Sequence, residues 1–287
     1  MLSSSHRIRV HLLRVGHCRH CERVTCTAGG WRIIHFPSIC ALLIHPQQGA
    51  ALFDTGYAER FFSATQTFPE RLYRWGTPMT LPSEETLTAQ LAGLGLRPPD
   101  IRVCFISHLH ADHIAGLRDL PQARLVLMRR EWALACQETR LSGLRHAFLP
   151  ALLPDDFAAR LQFVDDFPTR PLPSAWSAWG DGHDVWGDQS VLAVPLPGHS
   201  AGQMGLLFRD PQDREVFLCA DACWSRQAWL HNVPPSRLAG LIMHNWSAYR
   251  RTLEALHRLG TRHPELFILP SHCQQSMDLY RAVGQDC

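Results

Sequence analysis

The sequence has no long hydrophobic run. No stretch approaches the ~20 consecutive apolar residues that span a bilayer. Met1 to Val15 alternates apolar and basic positions and lacks the unbroken apolar core of a secretion signal. Both absences point to the cytoplasm and away from a membrane partner. A strong charge of one sign is missing too: the net charge is +2 with histidine neutral. No Lys/Arg run tracks a phosphate backbone, so nucleic acid is not an expected partner. No low-complexity linker divides the 287 residues, of which 46% are hydrophobic, enough to bury a large core. The expectation is a single domain over 1–287 with two similar halves, roughly 1–165 and 166–287. A disulfide scaffold is not indicated either. Of the ten cysteines, Cys40, Cys104, Cys136 and Cys219 stand among apolar neighbours, as reduced buried thiols do. Histidine, by contrast, is plentiful at seventeen residues, which favours metal chemistry.

Ser107-His108-Leu109-His110-Ala111-Asp112-His113 concentrates four metal-binding side chains in six positions. His108 and His110 are two apart, so at a strand end they point to one side. Asp112 and His113 follow as the chain turns toward a helix and can face a second ion.

The surrounding pattern is that of buried strands ending in ligand-type residues. Ile8 to Val15 alternates like a strand. Ile39 to Ile44 and Ala50 to Phe53 read as two strands joined by the turn Pro46-Gln47-Gln48-Gly49, the second ending at Asp54. Residues 61–82 read as a long loop or lid leading to a helix from about Ser83 to Leu94, with Ser83 as its cap. Arg102 to Ile106 delivers the histidine motif, Leu125 to Met128 is a further strand, and Arg130 to Leu141 and Asp155 to Arg160 read as helices. Phe167 to Gly187, rich in Pro, Gly and Trp, reads as a loop with a short hairpin. Val191 to Leu196 ends at Pro197-Gly198-His199-Ser200. Met204 to Phe208 and Val216 to Cys219 form a hairpin ending at Asp221. Asn245 to Leu259 is helical, and Leu266 to Leu269 runs into Pro270-Ser271-His272. Open α/β sheets tend to build their sites at such carboxyl ends.

The ordered set Asp54, His108-x-His110-x-Asp112-His113, His199, Asp221, His272 resembles the metallo-β-lactamase fold superfamily of metallohydrolases, over about residues 8 to 275. The resemblance implies an α/β fold: an αβ/βα four-layer sandwich of two mixed β-sheets flanked by helices, with the metal site along one edge. It implies that His108, His110 and His199 hold one metal and that Asp112, His113 and His272 hold a second. Asp221 bridges the two, and Asp54 orients a ligand from behind.

The chemistry also has a reason of its own. Two divalent ions about 3.5–4 Å apart share one water and lower its pKa enough to give hydroxide at neutral pH. The expected function is a dinuclear metal-dependent hydrolase that attacks a carbonyl ester, foremost a lactone with an apolar tail, with Asp112 and Asp221 as its catalytic carboxylates. Zinc is the first expectation; the mixed N and O donors also accept iron, manganese or cobalt. Within the superfamily the chain looks most like the N-acyl homoserine lactone lactonase branch. It departs from that branch at Trp224, where those enzymes usually carry a tyrosine; an indole donates a hydrogen bond but is not an acid of a phenol's strength. Thioester hydrolysis of the glyoxalase II type, phosphodiester hydrolysis and a non-catalytic metal-binding partner protein are the alternatives. Monomer and homo-oligomer are both open.

Weaker signals remain. Cys18, Cys21 and Cys26, with His17 or His20, have a spacing that either a small structural zinc site or plain thiols in a surface hairpin would show. Trp176, Trp179 and Trp186 either line an apolar substrate pocket or cover a sheet. Arg226, His231 and His244 are candidate substrate contacts.

Overall fold

The side chains of β2 (Ile33–His45) separate by parity: Ile39, Ala41 and Leu43 enter one apolar core, Cys40 and Leu42 another. A strand with both faces apolar has to be covered on both sides. The first core lies between two sheets, and the second lies beneath the helices outside them. In the second half of the chain, β11 (Met204–Arg209) sends Met204, Leu206 and Phe208 to the same inter-sheet core and Leu207 outward.

The computed structural model describes residues 6–284. One sheet has seven strands. It contains β2, β1 (Arg9–Cys21), β3 (Gly49–Phe53), β4 (Met79–Thr80), β5 (Ile101–Phe105), β6 (Arg124–Leu127) and β7 (Leu161–Phe163), in the order β4-β1-β2-β3-β5-β6-β7. The other has six: β8 (Thr169–Pro171), β9 (Asp181–Asp184), β10 (Val191–Pro195), β11, β12 (Glu215–Ala220) and β13 (Phe267–Pro270), in the order β13-β12-β11-β10-β9-β8. Both are mixed: β3, β5, β6 and β7 run parallel in sequence, as do β12 and β13, whereas the other pairs are antiparallel. With helices outside each sheet, this is the four-layer α/β sandwich expected.

The long helix Trp246–Arg262 shows how sequence sets the outer layer. Asn245 caps it by accepting from Ala248 N at 2.8 Å, and its buried residues Tyr249, Thr252, Leu253, Leu256 and Leu259 recur every three or four positions. No helix among the described residues is long and apolar enough to cross a membrane.

Several local readings change. Residues 61–82 are not structureless; they hold most of the short helix Arg60–Ala64, the helix Arg71–Gly76 and β4. The helix expected at Ser83 begins later, as Leu87–Gly93, because Thr86 supplies the cap by accepting from Ala89 N, and Ser83–Glu85 is a 3-10 turn. Arg130 to Leu141 is two helices, Arg129–Ala135 and Arg140–Arg145, since Thr139 and Ser142 form a reciprocal cap that starts a new helix. That break leaves Cys136 exposed, unlike the buried Cys40, Cys104 and Cys219.

Candidate metal centre

Five strand ends converge on one edge of the sandwich. β3 stops before Asp54, β5 before Ser107-His108, β10 before His199, β12 before Asp221 and β13 before His272. Two of these exits use backbone that L residues rarely adopt. Asp54 has φ 63° and Ala220, just ahead of Asp221, has φ 47°. Such conformations cost on the order of 1–3 kcal/mol each and persist where surrounding contacts over-determine them. At Asp54 those contacts are plain: its carboxylate accepts from Ser107 N, Ser107 Oγ and His113 Nδ1, each at 2.8 Å. At the His199 turn, Gly198 has φ 140° and a Cβ there would sit 2.2 Å from Tyr249 N, so only glycine lets this loop lie on the start of the helix Trp246–Arg262.

The imidazoles are held from behind. His113 donates Nδ1–H to Asp54, and His272 donates Nδ1–H to the carbonyl of Pro37 at 2.7 Å, an acceptor that fixes its tautomer. Both therefore turn Nε2 inward, the nitrogen that becomes a ligand atom once it has given up its proton. His113 Nε2 lies 3.4 Å from Asp221 Oδ1 and 3.8 Å from Asp112 Oδ2. His272 Nε2 lies 3.1 Å from Asp221 Oδ2 and 3.5 Å from Asp112 Oδ2. His199 Nε2 lies 3.2 Å from Asp221 Oδ2 and 3.0 Å from His110 Nδ1. Potential ligand atoms of three overlapping groups, His108/His110/His199, His108/His113/Asp221 and Asp112/His113/His272, lie within 4.8 Å of one another. All eight residues singled out in the sequence thus lie together, and all but the slightly exposed Asp112 are buried.

This donor set fits divalent metal ions. His108 Nε2, His113 Nε2 and Asp221 Oδ1 are buried and have no hydrogen-bond partner. Orphaned buried acceptors are costly unless something positive faces them. The charges act in the same sense. Burial holds the His108 and His110 side chains well below the ordinary histidine value, helped by neighbouring imidazoles, and puts His199 at about 4. At His113 and His272 burial works downward but is outweighed, by Asp54, Asp112 and Asp221 for the former and chiefly by Asp221 for the latter, so both are raised. Burial would push Asp221 up, but His272, His199 and His113 hold it well below the usual carboxylate range.

In front of the cluster opens a cavity of about 580 Å³, walled by Asp112, Asp221, His272 and a mainly apolar set that includes Phe36, Tyr73 and Trp224. The Trp224 indole N–H is turned onto Asp221 Oδ2 at 2.8 Å. The tryptophans of 167–187 are elsewhere: Trp176 and Trp179 pack on Phe217, and Trp186 packs on His45 and Phe105, so they cover sheets. His231 and His244 line other, smaller cavities, and Arg226 stacks over Trp229. Strand β1 runs through Cys21 and sets Cys18 inside and Cys21 at the surface; no group of potential metal ligands among the described residues includes Cys18, Cys21 or Cys26. His20, by contrast, lines the main cavity.

Some contributors gave no signal in the sequence. Ser38 donates to the Asp112 carbonyl at 2.7 Å. Buried Glu131 accepts from Leu109 N at 3.0 Å, from Gly202 N at 2.8 Å and from Ser200 Oγ, joining the two histidine loops. Glu131 sits in an unremarkable helix, and only the fold brings it behind the site.

The sequence model of the Metallo-beta-lactamase superfamily matches residues 38–262. The chain is 25% identical over 245 residues to the N-acyl homoserine lactonase AttM of Azorhizobium caulinodans, covering 82% of this chain and 84% of that one. It is 27% identical over 231 residues to the N-acyl homoserine lactonase AiiB of Agrobacterium fabrum, covering 79% and 76%. In structure it resembles an N-acyl homoserine lactone hydrolase solved with the product N-hexanoyl-L-homoserine at its catalytic metal center, with a TM-score of 0.67, 18% identity, and 98% and 97% coverage. A probable metal-dependent hydrolase from Staphylococcus aureus gives a TM-score of 0.68 at 16% identity, with 93% and 90% coverage. At such identities the structures speak for the fold, which is the one built above from parity and strand order. With the sequence match spanning most of the chain, this protein belongs to the metallo-beta-lactamase superfamily.

Proposed function

We propose that this hydrolase opens the ring of a lactone bearing an apolar tail, using two divalent metal ions held by its histidine and aspartate cluster. The observation that carries the reading is the meeting of buried nitrogen and oxygen atoms without hydrogen-bond partners with a roomy, mainly apolar cavity at one wall. The curated relatives named above, all called N-acyl homoserine lactonases, support the substrate class.

In this reading His108, His110 and His199 hold one ion, Asp112, His113 and His272 the other, and Asp221 is shared. Bound there, the ions supply an activated water as nucleophile and positive charge for the oxygen anion that develops on ring opening. Zinc is the proposed metal, since imidazole with carboxylate suits it; iron and manganese accept the same donors.

The chain's own residues do the rest. Asp54 keeps a proton on His113 Nδ1, so Nε2 stays a donor of electrons, and the Pro37 carbonyl does the same for His272. Asp112, the more exposed of the two cluster carboxylates that line the cavity, is placed to carry a proton toward the leaving alkoxide. Phe36, Leu72, Leu144, Ile242 and Trp224 give the tail an apolar wall and exclude water from the reacting carbonyl.

The test is a panel of acyl homoserine lactones, aryl esters, glutathione thioesters and bis-aryl phosphodiesters presented to the metal-loaded protein. Fastest turnover on lactones is expected. Phosphodiester or thioester hydrolysis far above every lactone would overturn the substrate assignment, and inertness toward all four would overturn hydrolysis.

A further inference from the structure

Attack on a carbonyl places negative charge on its oxygen, and a neutral hydrogen-bond donor aimed there lowers the barrier at no cost in charge balance. The wall of the cavity that faces Asp112 and Asp221 contains few such donors. The Trp224 N–H is already committed to Asp221 Oδ2. Tyr57 is fully buried, with its hydroxyl turned to the Cys18 thiol. Tyr73 differs from both.

Tyr73 lies on the helix Arg71–Gly76, within the 61–82 segment that reads from sequence as a long loop or lid. Its ring stands edge-on against Phe61, with centroids 5.6 Å apart, and Phe61 is anchored in turn by Tyr57. The ring is therefore held by packing on Phe61 that does not involve its oxygen. The hydroxyl forms no hydrogen bond to another described residue and opens on the cavity shared with Asp112, Asp221 and Trp224. Burial and then the charges of Asp112 and Asp221 push its pKa well above the ordinary phenol value, so it remains a protonated donor across the working range. Resting on the function proposed above, we propose that Tyr73 is a catalytic residue whose hydroxyl donates a hydrogen bond to the carbonyl oxygen of the bound ester, the part that the Trp224 indole, spent on Asp221, leaves unfilled.

His20 is a competing donor of this wall. Its ring is turned edge-on to Phe36, which itself stacks on His272 at 4.1 Å, so His20 meets the cluster across a phenyl ring, whereas the Tyr73 hydroxyl opens on the cavity directly.

The experiment compares full-length, metal-loaded wild type with Tyr73→Phe, which keeps the ring and its packing on Phe61. The expected result is a fall in kcat of about ten- to hundredfold on a lactone, below the loss for an isolated oxyanion donor because bound ions share the charge. KM, metal content and the thermal midpoint should stay near wild type. The same relative loss is expected on p-nitrophenyl and on alkyl esters, because a donor to the carbonyl is indifferent to the leaving group, whereas a general acid would matter less for p-nitrophenolate. Wild type active on lactones with Tyr73→Phe equally active would overturn the role of Tyr73 and leave the lactonase reading standing. The same holds if His20→Ala took the loss in its place, or if the loss followed leaving-group basicity. A wild type inert toward every ester would overturn both.

Discussion

Trp224 donates its indole N–H to the same Asp221 oxygen, Oδ2, that lies 3.1 Å from His272 Nε2 and 3.2 Å from His199 Nε2. The other oxygen, Oδ1, is left for His113 Nε2 at 3.4 Å. A carboxylate that reaches both halves of the cluster has one free rotation, and the indole fixes it. Partners of this kind, standing behind a ligand, are worth about 10- to 100-fold in metal affinity. Trp224→Phe is therefore predicted to weaken metal binding by about tenfold while leaving the fold intact. Trp224→Tyr, which keeps a donor at that position, should recover part of the loss. Competition against a chelator measures both, and wild-type affinity in Trp224→Phe would show that the indole does not orient Asp221.

Seven ligand-type side chains exceed what one tetrahedral ion uses. Elemental analysis is predicted to find two divalent ions per chain after reconstitution, and one or none would refute the dinuclear reading. Asp221→Ala should lose at least one of them and cut turnover by about a hundredfold or more, since it removes the carboxylate common to both halves.

The two halves should also respond differently to acid. Ions bind deprotonated imidazole, so a ligand whose pKa is raised releases a proton on binding and loses its ion as pH falls through that raised value. His113 and His272 are raised, while His108 and His110 are held well below 6.5 and His199 sits at about 4. The ion beside Asp112, His113 and His272 is predicted to leave first on acidification, and the other at lower pH. In the metal-free protein the sign runs the other way. A raised folded pKa stabilises the fold below the unfolded value near 6.5 and is lost as pH rises through the folded one, so metal should add more stability at alkaline than at acidic pH. Metal content against pH, with thermal midpoints for both forms, checks this; simultaneous release of both ions would contradict it.

How much of this was legible in the sequence follows from where each signal is stored. The strand ends carrying Asp54, His108, His199, Asp221 and His272 were readable because a buried strand is a local apolar run and its ligand follows within four residues. The α/β layering was readable from the same runs. Boundaries were not: Thr86 rather than Ser83 caps its helix, and Thr139 with Ser142 breaks a stretch that looks continuous, because the competing caps differ by contacts only the folded chain decides. Trp176 could not be assigned, since an aromatic against Phe217 and one against a ligand share the same local sequence. His20 gave no sign of facing the cavity, because β1 runs farther than its alternation suggested. Glu131, 22 residues from the Leu109 N–H it accepts, was invisible for the same reason.

Glu131 yields the last prediction. Its carboxylate accepts from Leu109 N, between two of the histidines, and from Gly202 N and Ser200 Oγ, just past a third. The contact is tight, since a Cβ at Gly202 would lie 2.5 Å from Glu131 N. Glu131→Ala removes the acceptor and leaves two backbone N–H groups buried without partners, each worth about 1–3 kcal/mol. The expected loss of stability is about 3 kcal/mol. Because one side chain joins the His108–His110 loop to the His199 loop, the same change should weaken binding of the ion that these three histidines hold more than that of its neighbour. Glu131→Gln keeps an acceptor oxygen but loses the charge and one lone-pair surface, so it should fall between the two. Denaturant midpoints of the metal-free variants together with chelator titration of the loaded ones separate the effects. A stability loss with unchanged metal affinity would reduce Glu131 to a purely structural group, whereas a loss confined to the half held by His108, His110 and His199 would identify it as the link that sets that half's geometry.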